Sequence, residues 1–367
     1  MRTKVHSELE KSWPSHGLSI ALIYDVPKKL TRTNEQPFPT DAESEWETAI
    51  TIEKIADTWQ ELGHHTIKLP LDHNFLLNWA NQHHEFNIVH SLVEGWGSPS
   101  REGWIPALCE MSGAAYIGSS PLAQCLAMKK SSFKHLCRAF KIPTPAFYLV
   151  LNPIDFENIP DSFLEKPHFI KPDCEGSGMG IDAKHSISAE KDRSRETCLR
   201  LLREFPDGVL LEEFLPGREL TSAFIGTIDP LILPIAEIEV NDGVYGLANK
   251  SKEAMEEKVT FPTLSKEVED TIISSMNILR IQIGFEDFVR FDWKLNANGQ
   301  PHLLEANPLA GLSYYYSVLP KMAYAAGLSY AALLERIGRS AWAKRKHRRF
   351  WYGRERLQSE SVRNEKP

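Results

Sequence analysis

The Asn298-Gly299 pair separates two alternating segments, FVRFDWKL and QPHLLEANP, and constrains the fold more than any other feature of the sequence. Both residues tolerate the positive φ of a type I′ turn, so the pair predicts a β-hairpin with a two-residue turn. Such a turn sets Asp292 opposite Glu305, and on the same face Arg290 opposite Asn307. The other face is apolar and consists of Phe291, Trp293, Leu304 and Ala306. This register depends on the turn having two residues.

The opposed Asp292 and Glu305 need a counter-charge, because directly opposed side chains lie about 5 Å apart and like charges there are destabilising. A divalent cation with oxygen ligands would supply it, and two carboxylates with the Asn307 amide suit Mg²⁺. Arg290 on the same face adds a ligand for a phosphate or an oxyanion. The alternative is an exposed hairpin face on which the acids are incidental.

Strand and helix patterns alternate in the first third of the chain. An apolar strand at 18–25 precedes a helical pattern at 44–62 that ends at Gly63, and the segments HTIKLPL, FNIVHSL and AAYIG follow with helices between them. This alternation predicts an α/β domain built on a parallel sheet. A lysine-bearing helix at 122–140 then leads into strands around a Gly-rich loop, which predict a small α+β domain.

Length and composition exclude several classes of protein. At 367 residues the chain exceeds what one hydrophobic core usually supports, so we expect two or three domains. No apolar run reaches the ~18 residues of a membrane span, and the polar first 17 residues do not resemble a signal peptide, so we expect a cytoplasmic protein.

Residues 339–356 hold eight Lys/Arg and one Glu. We interpret this basic segment as a solvated terminal helix and expect no nucleic-acid partner.

Two segments have features of a nucleotide site. In HFIKPDCEGSGMGID (168–182), Lys171 ends an apolar strand and precedes a loop with Ser177 and three glycines, whose backbone N–H groups suit phosphate oxygens. GVLLEEFLPGRE (208–219) offers acids around an apolar slot for an adenosine: Glu212, Glu213, Phe214, Leu215 and Glu219. Each segment alone is weak evidence for a nucleotide site. The first, for example, lacks the Gly-Lys-Ser/Thr of a Walker A loop.

In their order along the chain, Lys130 in LAMKK, Lys171 before the Gly-rich loop, LLEEFLPGRE and RFDWKL…LLEANPLAGLS resemble the ATP-grasp superfamily, and specifically the D-alanine:D-alanine ligase family. The resemblance implies an α/β and α+β ATP-grasp fold with an N-terminal Rossmann-like (pre-ATP-grasp) parallel-sheet domain. It also implies a division into a tail (1–17), the pre-ATP-grasp domain (18–121), central (122–212) and C-terminal (213–338) ATP-grasp subdomains, and a basic tail (339–367).

Carried over residue by residue, the resemblance assigns four groups of site residues. ATP would be held by Lys130, Lys171, Glu212, Glu213, Phe214, Leu215, Glu219 and Lys250. Two Mg²⁺ ions, with Mn²⁺ as the alternative, would be bound by Asp292, Glu305 and Asn307. The catalytic groups would be Ser177 in the loop over the phosphates, with Arg290 and the Gly311 backbone at the tetrahedral intermediate. The substrates would meet Glu47, Glu94, Ser251 and Ser317.

The implied activity is that of an ADP-forming ligase, in which ATP phosphorylates a carboxylate and an amine attacks the acylphosphate to form a dipeptide-like amide. Its partners would be small amino-acid-like molecules, and the resemblance alone implies a homodimer. The alternatives are an ATP-grasp ligase for a carboxylate other than D-alanine, and a nucleotide-binding protein without turnover.

Three departures from the family bear on the substrate. Ser251 stands where the family has a tyrosine, Glu94 in LVEG stands where it has a histidine, and its N-terminal glutamate motif is loosely matched by Glu45 or Glu47. Because losing a hydrogen-bonding group from a polar pocket changes specificity steeply, the use of D-alanine stays open. Nearby Arg101 offers a ligand for a carboxylate or, equally, an ordinary surface charge.

Overall fold

The computed structural model describes residues 13–26, 45–182, 185–239 and 258–345. The first sheet is parallel, with strand order β2-β1-β3, and contains β1 (Ser19–Asp25), β2 (His65–Leu71) and β3 (Ile88–Ser91). Tyr116, in the segment predicted as a fourth strand, makes a single parallel bridge to Val89. The helices of this region are α1 (Ala49–Glu61), α2 (Phe75–Gln82) and α3 (Trp104–Ser112).

Helix α1 begins later than the helical pattern at 44–62 suggested. Thr48 is its N-cap, and its hydroxyl accepts a hydrogen bond from the Thr51 N–H, which satisfies one of the free donors of the first turn. The chain reverses at Gly63, whose φ of 82° lies in the left-handed region. The helix therefore starts two residues after Glu47, and that acid lies in the loop in front of it.

The lysine-bearing segment predicted as one helix at 122–140 forms two helices, α4 (Pro121–Met128) and α5 (Lys130–Ala139). The prediction was wrong because Lys129 takes an extended conformation (ψ 92°). Asp173 then caps α5, since its carboxylate accepts from the Ser131 N–H at 2.7 Å and from the Ser131 hydroxyl at 2.6 Å. This break places Lys130 at the start of a helix that abuts the Gly-rich loop.

The second sheet is antiparallel, with strand order β4-β7-β5-β6. Its strands are β4 (Phe147–Val150), β5 (His168–Pro172), β6 (Ile187–Ser188) and β7 (Val209–Glu213). Its helices are α6 (Pro153–Phe156), α7 (Asp161–Leu164) and α8 (Lys191–Glu204). A separate apolar cluster that includes Phe156, Leu201 and Leu211 forms the core of this region.

The third sheet has the order β11-β10-β8-β12-β13, and β9 pairs with β8. Its strands are β8 (Glu219–Ile225), β9 (Leu231–Ile232), β10 (Ala236–Ile238), β11 (Val259–Thr260), β12 (Phe288–Leu295) and β13 (Pro301–Asn307). Its helices are α9 (Lys266–Leu279), which ends in a π-helical turn at Arg280–Gly284, α10 (Val318–Ala325) and α11 (Tyr330–Lys344). In the described part of the chain, none of the helices combines the length and apolarity needed to span a bilayer.

The hairpin of β12 and β13 has the predicted pairing at its site end but a different turn. Asp292 pairs with Glu305 and Arg290 with Asn307, as expected. The turn, however, is a three-residue loop between Asn296 and Gln300, in which Gly299 alone has positive φ (76°). A β-bulge between Asp292 and Trp293 absorbs the extra residue and restores the register.

The bulge also corrects the predicted apolar face. Trp293 pairs with Leu303, which is fully buried, instead of with Leu304. Leu304 is the extra residue, and it lies on the side of Glu305, where it lines a cavity. The hairpin therefore presents one apolar side chain among its polar ones.

Helix α11 packs against the parallel-sheet region of the chain. It packs on α1 so closely that a Cβ at Gly338 would lie 2.7 Å from the Trp59 ring. Lys344, at its end, is buried and pairs with Asp287 and with Glu286 at 3.2 Å. The boundary at 338/339 thus falls inside a packed helix, and the solvated-helix interpretation is wrong for the buried residues Ser340, Ala341, Ala343 and Lys344, although Arg339 is exposed.

Candidate active site

A cavity of about 320 Å³ is lined by residues from the regions of all three sheets. It brings together every predicted site residue that the structure describes: Glu47, Glu94, Lys130, Lys171, Ser177, Glu212, Glu213, Phe214, Leu215, Glu219, Arg290, Asp292, Glu305, Asn307, Gly311 and Ser317. Lys250 and Ser251 lie outside the described residues. The structure thus collects these side chains in one place, and their individual roles remain predictions.

The Gly-rich loop lies at one wall of the cavity. Ser177, Gly178 and Gly180 all have positive φ (50°, 73° and 69°), a conformation that turns successive backbone N–H groups toward a common side. Gly180 has no room for a side chain, since a Cβ there would lie 2.7 Å from the Phe205 ring. The loop is consequently held close to its own sheet while its N–H groups remain near the cavity.

Lys171 is fixed by an acid on the neighbouring strand. Its Nζ lies 2.6 Å from Glu212 Oε1, and Lys134 Nζ lies 2.8 Å from Glu212 Oε2. Burial alone would raise the pKa of Glu212, but Lys134 and Lys171 outweigh it and lower that pKa. Glu212 therefore carries a negative charge that orients two lysines.

Sequence reasoning missed two lysines. Lys134 lies one helical turn after Lys130, and that spacing could have identified it. Lys294 lies two residues after Asp292 on the same strand face and pairs with Glu219 at 3.1 Å. The strand alternation used for the hairpin could have identified this lysine too.

The opposed acids of the hairpin are neutralised within the protein. Arg290 donates to both oxygens of Asp292, from Nε at 3.0 Å and from a terminal nitrogen at 2.8 Å. Asn307 donates to Asp292 at 2.9 Å. Glu305 pairs with Lys130 at 3.4 Å. Burial would raise the pKa of Glu305, but Lys130, Lys171 and Arg290 lower it to about 2. The Glu305 carboxylate is thus kept ionised.

The hairpin residues fit a hard divalent cation by their chemistry. Asp292 and Glu305 offer carboxylate oxygens and Asn307 an amide oxygen, which is the donor type that Mg²⁺ prefers together with phosphate and water. The described ranges contain no cluster of three or more His, Cys, Asp or Glu side chains, at the hairpin or elsewhere, so a cation here would depend on the Asn307 oxygen as well as on the two carboxylates. The hairpin is therefore our candidate metal site.

The opposite end of the cavity is organised around Glu47. Its carboxylate accepts from the Leu312 N–H at 3.1 Å and from the Tyr316 hydroxyl at 2.8 Å. Gly311 leaves room here, since a Cβ there would lie 2.8 Å from Ser317 Oγ. Tyr316 was not predicted; it lies one residue before Ser317, and nothing in the sequence distinguished it from Tyr314 and Tyr315.

Arg101 is neither a surface charge nor a free ligand for a substrate. It is 1% exposed, and one terminal nitrogen contacts Glu45 at 2.9 Å and Glu175 at 3.0 Å. The other donates to the Cys174 carbonyl oxygen at 3.0 Å. Arg101 thus links the first region of the chain to the Gly-rich loop. Both predicted roles of Arg101 were wrong, because the side chain is almost completely buried between two acids that are distant in the sequence.

Asp25 ends β1 and holds the loop that follows β3. Its Oδ2 accepts from the Glu94 N–H at 2.7 Å and the Gly95 N–H at 3.2 Å. Burial raises the pKa of Asp25 to about 6, although these two N–H groups oppose the shift. Between pH 4 and 6 the folded state therefore binds this proton more tightly than the unfolded state, and stability falls as the pH rises through that window.

We expect Asp25→Asn to be more stable than the wild-type protein at pH 8 by up to about 3 kcal/mol, because it keeps an acceptor oxygen and removes a buried charge. At pH 4 the gain should disappear. Urea unfolding at both pH values tests this. The control Asp25→Ala loses the acceptor and should be destabilised at both. Equal stability of Asp25→Asn and wild type at pH 8 would contradict the explanation.

A sequence-family profile described as "D-ala D-ala ligase C-terminus" matches residues 136–338, more than half of the chain. A "D-alanine--D-alanine ligase" of Bordetella petrii is 32% identical over 254 residues, which cover 68% of this chain and 74% of that protein. The "Uncharacterized protein y4sG" of Sinorhizobium fredii is 27% identical over 312 residues, which cover 82% of this chain and 90% of that protein.

Among solved structures, a D-alanine--D-alanine ligase from Bacillus anthracis complexed with ATP matches with a TM-score of 0.69 at 19% identity, covering 90% of this chain and 99% of that one. At this identity the likeness shows the fold, and it confirms the predicted ATP-grasp fold with its N-terminal parallel-sheet domain. The chain belongs to the D-alanine:D-alanine ligase family of the ATP-grasp superfamily.

Proposed function

We propose that this protein is an ATP-dependent, ADP-forming carboxylate–amine ligase that makes a dipeptide-like amide through an acylphosphate. The observation that carries the proposal is the convergence in one cavity of the Gly-rich loop, its lysines and the carboxylate hairpin. The terminal phosphoryl group of ATP would be transferred to a carboxylate oxygen. The amine nitrogen would then bond to the carbonyl carbon as the C–O bond to phosphate breaks and the amine loses a proton.

The nucleotide end has the charges this reaction needs. Phe214, Leu215, Glu213 and Glu219 line the cavity, and the first two would form an apolar slot for an adenosine. Lys130 and Lys171 flank the loop and would offset the phosphate charge, since phosphoryl transfer depends mainly on positioning and electrostatics. Both lysines are pre-oriented by acids, Glu305 and Glu212 respectively. Less ordering is therefore needed when the nucleotide binds.

The hairpin provides for the chemical step. Mg²⁺ held by Asp292, Glu305 and Asn307 would supply Lewis-acid stabilisation of the transferring phosphoryl group. Arg290 lies beside these residues, where its guanidinium would stabilise an oxyanion formed by amine attack, as fixed donors do in acyl transfer. At the other end, Glu47 and Ser317 would orient the amino-acid-like substrates. The Ser177 loop would exclude water from the acylphosphate.

Phosphate release tests the proposal. The protein, ATP and Mg²⁺ should release phosphate in the presence of a carboxylate and an amine, and mass spectrometry should detect the amide. A panel of D- and L-amino acids in paired combinations covers both D-alanine and other carboxylates. If no pair raises ATP hydrolysis above background, the ligase proposal fails and a nucleotide-binding protein without turnover takes its place.

Gly311→Ala should reduce phosphate release by about 10²-fold, because a 1 Å displacement of positioning groups costs that much. The added Cβ would lie 2.8 Å from Ser317 Oγ, so Ser317 must move, whereas its 3.5 Å distance from Glu47 Oε1 is an ordinary contact. The KM for ATP should stay unchanged, since Gly311 lies at the substrate end, and this serves as the internal control. Wild-type activity in Gly311→Ala would contradict the assignment.

We also propose a cytoplasmic location and a homodimer, both of which rest on the family resemblance. Cell fractionation tests the first. Light scattering of the purified protein tests the second, with a monomer at micromolar concentration as the contradicting result.

A further inference from the structure

The loop between β13 and α10 places one hydrogen-bond donor on each carboxylate oxygen of Glu47. The Leu312 N–H donates to Oε1 at 3.1 Å, and the Tyr316 hydroxyl donates to Oε2 at 2.8 Å. Because hydrogen bonds to a carboxylate are directional, two donors on different oxygens fix the orientation of its plane, which one donor alone does not. Glu47 is therefore oriented by donors that lie 265 and 269 residues later in the chain.

Two tyrosines of the following helices hold this loop in place. The Tyr330 hydroxyl, from α11, donates to the Leu312 carbonyl oxygen at 2.7 Å. The Tyr324 hydroxyl, from α10, donates to the Tyr314 carbonyl oxygen at 3.0 Å. The donors to Glu47 are thus oriented in advance, so little additional ordering is needed when a ligand binds.

Tyr316 keeps its proton in the neutral pH range. The pKa of a phenol is about 10 in water, and burial and the charge of Glu47 raise the pKa of Tyr316 further. An ionised carboxylate only accepts hydrogen bonds, so the phenol must be the donor. Both side chains line the cavity. A carboxylate has about four acceptor positions, so Glu47 can keep these two donors while it also accepts from an ammonium group.

We propose that Tyr316 is a positioning residue for the amino-acid substrate, because its hydroxyl holds Glu47 in the orientation that accepts from the substrate's α-ammonium group. This inference rests on the proposed ligase function, in which Glu47 orients a substrate. Tyr316 acts through Glu47 and therefore affects the amino-acid end of the site, not the nucleotide end. The alternative is a purely structural tyrosine that links the loop to the first region of the chain.

Tyr316→Phe removes the hydroxyl and keeps the ring. With an active pair from the amino-acid panel, it should raise the KM of the amino acid at Glu47 by about tenfold or more, the loss expected for a hydrogen bond to a charged group. The KM for ATP should stay unchanged. Phosphate release at varied amino-acid and ATP concentrations measures both. Tyr315→Phe is the matched control, since it removes the hydroxyl of the exposed neighbouring tyrosine and should change neither KM.

Glu47→Gln separates the positioning role from the structural one. This variant identifies the amino acid that Glu47 binds, because the KM of that amino acid should rise. Adding Tyr316→Phe to Glu47→Gln should raise the same KM by less than about twofold further, since the effects of two residues that act through one interaction do not add. A structural tyrosine would raise the KM by the same factor in both backgrounds.

A ring that keeps a donor provides the rescue. Tyr316→4-aminophenylalanine replaces the hydroxyl with an amino group at the same position, and it should restore most of the affinity that Tyr316→Phe loses. Circular dichroism verifies that the variants fold. If Tyr316→Phe does not fold, the 4-aminophenylalanine protein decides the question, because a KM raised about tenfold in a protein that keeps both ring and donor overturns the inference.

This inference and the ligase function fail in distinguishable ways. If Tyr316→Phe leaves the KM of the amino acid at Glu47 within about twofold of wild type, or raises it equally in both Glu47 backgrounds, the inference is overturned and the ligase function stands. Absence of phosphate release with every pair overturns the ligase function. In that case calorimetry of the panel amino acids with wild type and Tyr316→Phe still tests the inference, and equal or absent binding overturns it.

Discussion

Glu305→Gln should reduce substrate-dependent phosphate release by at least about 10³-fold, because metal-held charge stabilisation contributes several kcal/mol and every 1.36 kcal/mol is a factor of ten in rate. The change is nearly isosteric, so packing is retained. It removes a ligand charge from the hairpin and also the partner of Lys130, which lies 3.4 Å away. Single-turnover measurement of phosphate release, at saturating ATP and Mg²⁺, isolates the chemical step.

The control for this prediction is Glu204→Gln, since Glu204 is an exposed acid paired with Arg200 four residues earlier. Glu204→Gln removes one negative charge, as Glu305→Gln does, but far from the cavity, and should retain full activity. Titration with Mg²⁺ adds a second readout, because the variant should need a higher concentration even for its residual rate. Activity within about tenfold of wild type, less than 1.4 kcal/mol, would exclude Glu305 from the role we assign.

Arg101→Met should lower the free energy of unfolding by about 3–5 kcal/mol, the usual cost of removing one partner from a buried ion pair. Met fills similar volume but leaves Glu45 and Glu175 without their counter-charge, and these acids are only 5% and 9% exposed. The Cys174 carbonyl also loses its donor. Urea unfolding measures the global effect, and hydrogen exchange reports on the Gly-rich loop.

A charge-matched rescue makes this prediction specific. Adding Glu45→Gln and Glu175→Gln to the Arg101→Met protein should recover most of the lost stability, because the buried charges are removed with their partner. Arg200→Met, which breaks an exposed pair, should cost about 1 kcal/mol or less. If the triple variant is no more stable than Arg101→Met, packing rather than charge explains the loss.

The sequence was informative where local chemistry determines structure. The Asp292–Glu305 and Arg290–Asn307 pairs are present as predicted, although the two-residue turn from which they were derived is absent and a β-bulge restores their register. The Gly-rich loop after Lys171 was predicted from its three glycines, and its left-handed residues agree with that composition. These features depend on neighbouring residues, so a single sequence is enough to find them.

Contacts between distant segments were less predictable. Arg101 meets acids 56 and 74 residues away, and its local sequence gave equal weight to a surface role. The break between α4 and α5 depends on Asp173, which is 42 residues from the serine that it caps. Both depend on tertiary packing, which propensity and spacing do not encode.

The bulge between Asp292 and Trp293 has a consequence for how the hairpin can vary. The bulge lies between the loop and the Asp292–Glu305 pair, so the part of the hairpin next to the loop has its own register. Leu295 can keep Pro301 as its partner, and Trp293 can keep Leu303, whether the loop between Asn296 and Gln300 has two residues or three. A change of one residue in the loop therefore leaves Glu305 opposite Asp292. Loop length and the candidate cation site can thus vary independently in this hairpin.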